Sequence, residues 1–437
     1  MTTSNKTNNK ARIKKTNKTN KKTNKTKRNK NKTKRNKNKT KKQKQKHKKY
    51  FFNLPNMNPY NITELSRLIF NNAPKELPLL EKSVAILEQN DGPASYSPTV
   101  NKDLIKLQSI QREEVHNCNN EKAFKLEDSL QIGIKDKMFG KTCVPYYDKT
   151  AMEVLLKNLS ANKHVNPDII IPPIQKQANC WFNTMFVTLF VSDKGRKFFH
   201  FFRQLMIEGV QSNGEAIPSK LKNGFALLNY AVDACLTGNK YAYMLDTNAI
   251  IRNIYDAIPK IYKDNMPYIS NVDDAGNPIR YYGSIIHYLH NKSLQLSFIQ
   301  KANDKWKEMI IEDINKQEHL PHIIILEFFD AKDKTAGVSG IVTNKPRSFL
   351  IKGAKYSIDS CVIRDTTQQH FSSTLTCENK EMAYDGMSYH RLVPLSWKKY
   401  INSDFSWGFE GSNNTDGSAL KWNFKHGYQM LIYYRVK

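Results

Sequence analysis

The sequence predicts an α+β fold, on two observations. Residues 180–320 are dominated by helical apolar spacing, and residues 320–435 carry a succession of short, β-rich apolar runs. Helices first and strands afterwards is the order of an α+β domain whose strands pair antiparallel. The elements follow from the residues in order along the chain.

A division of charge comes first. The 437 residues hold 69 Lys and Arg against 40 Asp and Glu, a formal net charge of +29. Residues 1–49 hold 23 of the basic residues and no acid, which leaves 46 basic against 40 acidic over the other 388. The body is therefore near balance, and its length suits about two or three domains. Within the tail, Thr-Lys-Arg-Asn-Lys-Asn-Lys repeats with a period of seven over residues 26–39. No position of that repeat is apolar, so it is not a coiled coil. The tail cannot bury surface and repels itself, so residues 1–49 are expected to be disordered. Such a segment attracts nucleic acid or an acidic surface without reading sequence, or it serves as a solubilising extension.

Several classes are excluded. No apolar run reaches the roughly 18 residues of a membrane span. The basic N-terminus lacks an apolar core of the secretory type, which favours an intracellular location, in cytoplasm or nucleus. Cysteines 118, 143, 180, 235, 361 and 377 are scattered, with no Cys-x-x-Cys. That spacing argues against a disulfide scaffold and a thiolate zinc site, and for a reducing compartment. No cofactor and no metal are expected.

Residues 50–165 read as an accessory, mostly helical region, with helices near 61–70 and 152–159 and a loop at 90–101. Pro172 and Pro173 keep residues 169–174 out of a helix. The apolar run from Cys180 to Val191 is long enough for a buried helix that starts at Cys180. Ser192-Asp193 caps a second helix over 194–208, which Gly209 ends. Residues 221–320 are expected to be mostly helical, with loops at 264–282. Strands are expected at 320–329, 348–352, 355–364, 369–376, 381–384 and 427–435.

One cysteine departs from the ordinary role of inert apolar filler. Cys180, at a helix N-terminus, faces unpaired amides and the positive end of the helix dipole. Both favour the thiolate, which is the nucleophile. Those amides, with Gln175 or Gln177 just upstream, could form an oxyanion hole. A thiolate nucleophile needs a histidine, and the histidine needs an orienting group. His370 opens one expected strand and Asp385, fifteen residues on, closes the next, so an antiparallel hairpin puts them at the same end. His390, with Asn402 or Asp404, is the competing choice.

These motifs resemble the ubiquitin-specific proteases, a family of papain-like cysteine peptidases. Gln-Ala-Asn-Cys-Trp-Phe-Asn at 177–183 resembles the family's cysteine box. The Leu320-Pro321 strand and the strand 356–364 resemble core strands of the family. His370-Phe371 resembles its histidine box, Tyr384-Asp385 the aromatic-acidic pair after it, and 427–435 its terminal strand. The likeness runs in family order over residues 166–437. It implies a helical lobe carrying the cysteine and an antiparallel sheet lobe carrying the histidine. It further implies Cys180 as nucleophile, His370 as base, Asp385 as its orienter, and Gln175 at the oxyanion position, where the family usually has Asn. The implied substrates are conjugates of ubiquitin or a ubiquitin-like protein. The sequence departs from the pattern at the glycines beside Cys and His, replaced by Gln177 and Gln368-Gln369, and in having no zinc-binding fingers. A precursor-processing cysteine protease, as in a large DNA virus, and an inactive binding module with a polyanion-binding tail are the alternatives.

Overall fold

The computed structural model describes residues 110–436, apart from 137–139, 163, 212–213, 291–294, 318–319, 329–343 and 368. The basic tail, the helix expected near 61–70 and the loop at 90–101 lie outside the described residues. The described part begins with a short helix α1 (Glu121–Phe124) and a hairpin, β1 (Gln131–Asp136) and β2 (Gly140–Pro145). Helix α2 (Lys149–Ala161) follows, its first turn capped by the Asp148 carboxylate accepting from Thr150 N at 2.8 Å.

A run of helices comes next: α3 (Cys180–Phe190), α4 (Asp193–Phe198), α5 (His200–Glu208), α6 (Ser219–Thr237), α7 (Thr247–Ala257), α8 (Lys260–Asn265) and α9 (Pro278–Tyr288). The helix expected over 194–208 is two helices, α4 and α5, which meet at Phe199. Gly209 ends α5 in the left-handed conformation (φ +66°), as its position implied.

The main sheet has eight strands: β3 (Leu296–Ile299), β4 (Ile323–Phe328), β5 (Ser348–Ile351), β6 (Ala354–Arg364), β7 (Phe371–Cys377), β8 (Lys380–Tyr384), β9 (Leu392–Pro394) and β12 (Gln429–Arg435). Their spatial order is β3-β4-β12-β6-β7-β8-β9, with β5 also paired to β6. Helix α10 (Trp306–Gln317) lies between β3 and β4 in the chain, and a short helix α11 (Trp397–Tyr400) follows β9. A two-residue pair, β10 (Ser406–Trp407) and β11 (Trp422–Asn423), sits in the last loop region.

Alternation along the central strands explains why they read as continuous apolar runs. Ile323, Ile325, Met430, Ile432 and Tyr434 join the core beneath α3 to α9. Ile324, Leu326, Leu431 and Tyr433 point the other way, into a second core with α10, Trp397 and Trp422. A sheet covered on both faces loses the polar half of its pattern. Helix α3 packs on β6 and β7 and buries every residue from Trp181 to Phe190.

The architecture is α+β. Three expectations are corrected. The region expected to be helical up to residue 165 contains the β1–β2 hairpin. The stretch 221–320 contains β3, which pairs parallel to β4 through the α10 crossover, so the sheet is mixed rather than wholly antiparallel. Cys118 and Cys143 form a disulfide across 25 residues. No local spacing announces it. The hairpin folds back so that Gly133 N donates to Val115 O and Asn120 brackets Gln131, which brings the two cysteines together. The disulfide removes the ground for inferring a reducing compartment. Among the described residues no helix is long and apolar enough to cross a membrane.

Candidate active site

Helix α3 starts at Cys180 because the chain before it is held extended. Tyr384 Oη donates to Pro173 O (2.8 Å) and Arg391 to Pro172 O (2.6 Å). Gln175 N donates to Gly386 O at 2.9 Å. A side chain at 386 would press on Gln175 at 3.1 Å, so glycine permits this approach. The Cys180 segment is thereby stitched to the segment that carries Asp385.

A buried amide cluster sets the start of the helix. Asn179 Nδ2 donates to Thr247 Oγ1 (3.0 Å) and Asn248 Oδ1 (2.7 Å) on α7. Asn183 Nδ2 donates to Asn179 Oδ1 (3.2 Å) and to Ile174 O (3.3 Å), and its oxygen accepts from Thr247 (2.8 Å). Asn179 O takes the N–H groups of Phe182 and Asn183. The Cys180 and Trp181 N–H groups are then the unpaired donors of the first turn among the described residues.

Four cysteines are outside the disulfide. Cys180 is half-buried; Cys235, Cys361 and Cys377 are buried. Burial pushes the Cys235 thiol up to about 12, and drives Cys361 and Cys377 higher still. Access to solvent sets Cys180 apart.

His370 lies just before β7 and Asp385 just after β8. His370 Nε2 and Asp385 Oδ1 are 2.6 Å apart, both buried. The Cys180 side chain is near enough to the same imidazole to favour its charged form. Burial works against the imidazolium, but the hydrogen bond to Asp385 and the nearby Cys180 side chain outweigh it and raise the histidine to about 10. A cysteine, an imidazole and a carboxylate are thus gathered at one place, the residue types that a thiol nucleophile and its base require.

Residues without any sequence signal hold this array. Ser412 Oγ donates to Asp385 Oδ2, and Met387 N to Oδ1 at 3.2 Å. Asp365 fixes the turn before the histidine, accepting from Gln369 N (2.8 Å) and His370 N (2.7 Å). Trp422 meets the His370 ring edge-on, 5.8 Å between centroids. Ser412, in a loop, and Trp422, in the short strand β11, are distant in sequence, where no spacing could have pointed to them.

The remaining sequence candidates sit elsewhere or do other things. The Gln177 oxygen accepts from Asn248 (3.1 Å) and Arg252 (2.8 Å), so its carboxamide belongs to the seam with α7. The Gln175 carboxamide oxygen is buried with no partner. His390 is exposed, while Asn402 bonds the Lys345 backbone and Asp404 bonds Asn423 and Lys425. Among the described residues no three His, Cys, Asp or Glu gather to hold a metal ion. Compared with protein-family models and with curated proteins, the chain matches none.

Proposed function

We propose that residues 166–437 are a papain-like thiol peptidase that acts on conjugates of ubiquitin or a ubiquitin-like protein. One observation carries the reading: the buried Asp385–His370 pair, with the half-buried thiol of Cys180 near enough to favour the charged form of the same imidazole. In this reading the Cys180 thiolate attacks the scissile carbonyl. The unpaired N–H groups of Cys180 and Trp181 receive the developing oxyanion, together with the NH₂ of Gln175. His370 gives its proton to the leaving amine, and water, activated by the neutral imidazole, then releases the acyl group from sulfur. Asp385 keeps the ring oriented throughout. Ubiquitin as the substrate rests on the resemblance of the cysteine and histidine boxes.

The test is a ubiquitin probe bearing a C-terminal electrophile. The wild-type chain should become labelled at Cys180, and Cys180→Ala should lose both labelling and hydrolysis of a fluorogenic ubiquitin substrate. Cys377→Ala should keep both. Reaction of Cys180 with small thiol reagents but not with the probe would favour the precursor-processing reading. Preserved turnover in Cys180→Ala would sink the peptidase reading.

A further inference from the structure

A cavity of about 390 Å³ opens next to the site. One wall is Phe371, the residue after His370. Another is Gly276, which lies so close to the indole of Trp181, the residue after Cys180, that a Cβ there would meet the ring at 2.2 Å. The cavity is thus lined by the neighbour of His370 and by a glycine packed on the neighbour of Cys180.

Its charges are lopsided. Arg280, Lys301 and Arg364 line it, against the single carboxylate of Glu327. Glu327 is already engaged: Tyr428 Oη donates to it at 2.7 Å, and Arg280 lies 3.6 Å away. Arg280 also donates to Tyr268 Oη at 2.6 Å. Arg364 and Lys301 have no carboxylate partner among the described residues. The Arg364 guanidinium packs over Phe371 (4.9 Å) and Tyr428 (5.6 Å). Its Nε is buried and has no hydrogen-bonding partner.

Leaving a buried charged donor without an acceptor is costly. Aromatic packing fixes the plane of the guanidinium, and a fixed fork suits one kind of ligand above others, a carboxylate taken in two parallel hydrogen bonds. Lys301, exposed at the cavity, adds a second positive charge. We propose that this cavity is a specificity subsite for an acidic side chain of the substrate, received by Arg364 with Lys301 beside it. The proposal rests on the peptidase reading for the word substrate. The recognition chemistry is a property of the cavity.

The experiment uses the full chain with Cys180→Ala, so that bound peptides persist. A panel of fluorescent peptides carries Glu, Gln or Arg at one varied position at a time. At one position the Glu peptide should bind at least about tenfold more tightly than its Gln counterpart, or about 1.4 kcal/mol. Arg364→Gln should remove that preference, and Lys301→Gln, at an exposed position that cannot disturb packing, should reduce it. The basic tail is present in every variant, so its own attraction for acidic peptides cancels in the comparison. Equal affinities for Glu and Gln peptides at every position would overturn the proposal. So would binding of inorganic phosphate that depends on Arg364 without any acidic-peptide preference, since the cavity would then be an ion site. Failure of the wild-type chain to react with the ubiquitin probe would count against ubiquitin as the substrate and leave this binding result standing. Labelling of Cys180 with a flat panel would overturn this proposal alone.

Discussion

The β7–β8 hairpin has two ends, and each gathers a cysteine, a histidine and a carboxylate. At the open end stand Cys180, His370 and Asp385. At the turn stand Cys377, Glu378 and His164, with Arg196 and Asp193. The pairs look alike: His370–Asp385 at 2.6 Å and His164–Glu378 at 3.0 Å. The thiols do not. Cys377 is sealed in the interior, where its sulfur accepts from Arg196 Nη1 at 3.6 Å, and burial raises its thiol in spite of that cation. Cys180 is half-buried, at the first residue of a helix, and near enough to His370 to favour its charged form. A trio of residue types is therefore not a nucleophilic site. What separates the two ends is access for the sulfur.

The sharpest way to break the comparison is to weaken each end separately. Asp385→Asn keeps the shape at the open end and removes the charge behind His370. Turnover of a small substrate should fall by about 10²- to 10⁴-fold. The pH profile should change as well. The histidine is raised to about 10 on folding, so its imidazolium form is fully present below the free value of about 6.5 and is lost as pH rises through 10. The alkaline limb of kcat/KM, which belongs to the Cys–His pair, should lie near that upper value in the wild type and move down in Asp385→Asn. An unmoved alkaline limb would mean that Asp385 does not set the charge of His370.

The turn end should respond in stability rather than rate. Arg196 Nη2 donates to Glu378 (2.7 Å) and Asp193 (3.0 Å), all three side chains buried. Arg196→Met leaves two buried carboxylates without their cation, at a cost of about 3–5 kcal/mol. The loss is read from urea unfolding. Glu378 and Asn379 both adopt left-handed backbone, φ +45° and +61°, in the two-residue turn. Glutamate is a poor choice for that conformation, and its ion pair with Arg196 is what holds it there. Folded Arg196→Met that turns over normally keeps the division between the ends. Loss of catalysis without loss of stability would erase it.

How far the sequence reached follows the same division. Cys180 was legible because its signals are local: two prolines, then an apolar run, then a helix that must begin at one residue. His370 and Asp385 were legible because a tight hairpin converts fifteen residues of spacing into adjacency. The order of helices and strands gave the α+β class. Ser412, Asp365 and Trp422 were not legible, because they reach the array from segments whose path depends on the whole fold. Strand β3 was hidden for a related reason. Its four residues sit in a helical stretch, and only its parallel pairing with β4 across α10 marks it as a strand. The disulfide is the same case, since Cys118 and Cys143 are brought together by a hairpin that the composition did not reveal.

The smallest expected effect concerns His164, which joins the segment before α3 to the hairpin turn. Burial disfavours the charge on Glu378, but hydrogen bonding from His164 and the positive charge of Arg196 outweigh it and hold the carboxyl below its ordinary value. A carboxyl lowered on folding stabilises above the unfolded value of about 4.3, and that contribution disappears as pH falls through the folded one. His164→Leu removes one of three supports, leaving Arg196 and the Val165 N–H, and keeps the bulk. Near pH 7 it should cost about 1.5–3 kcal/mol in urea unfolding, the worth of one hydrogen bond to a buried charged group. The gap to wild type should narrow as pH is taken to about 3.5, because the carboxylate that His164 supports is then being protonated in both proteins. Catalysis should be unchanged, since the open end is untouched. A gap that stays constant with pH would assign His164 to packing alone and leave Arg196 as the group that keeps Glu378 charged.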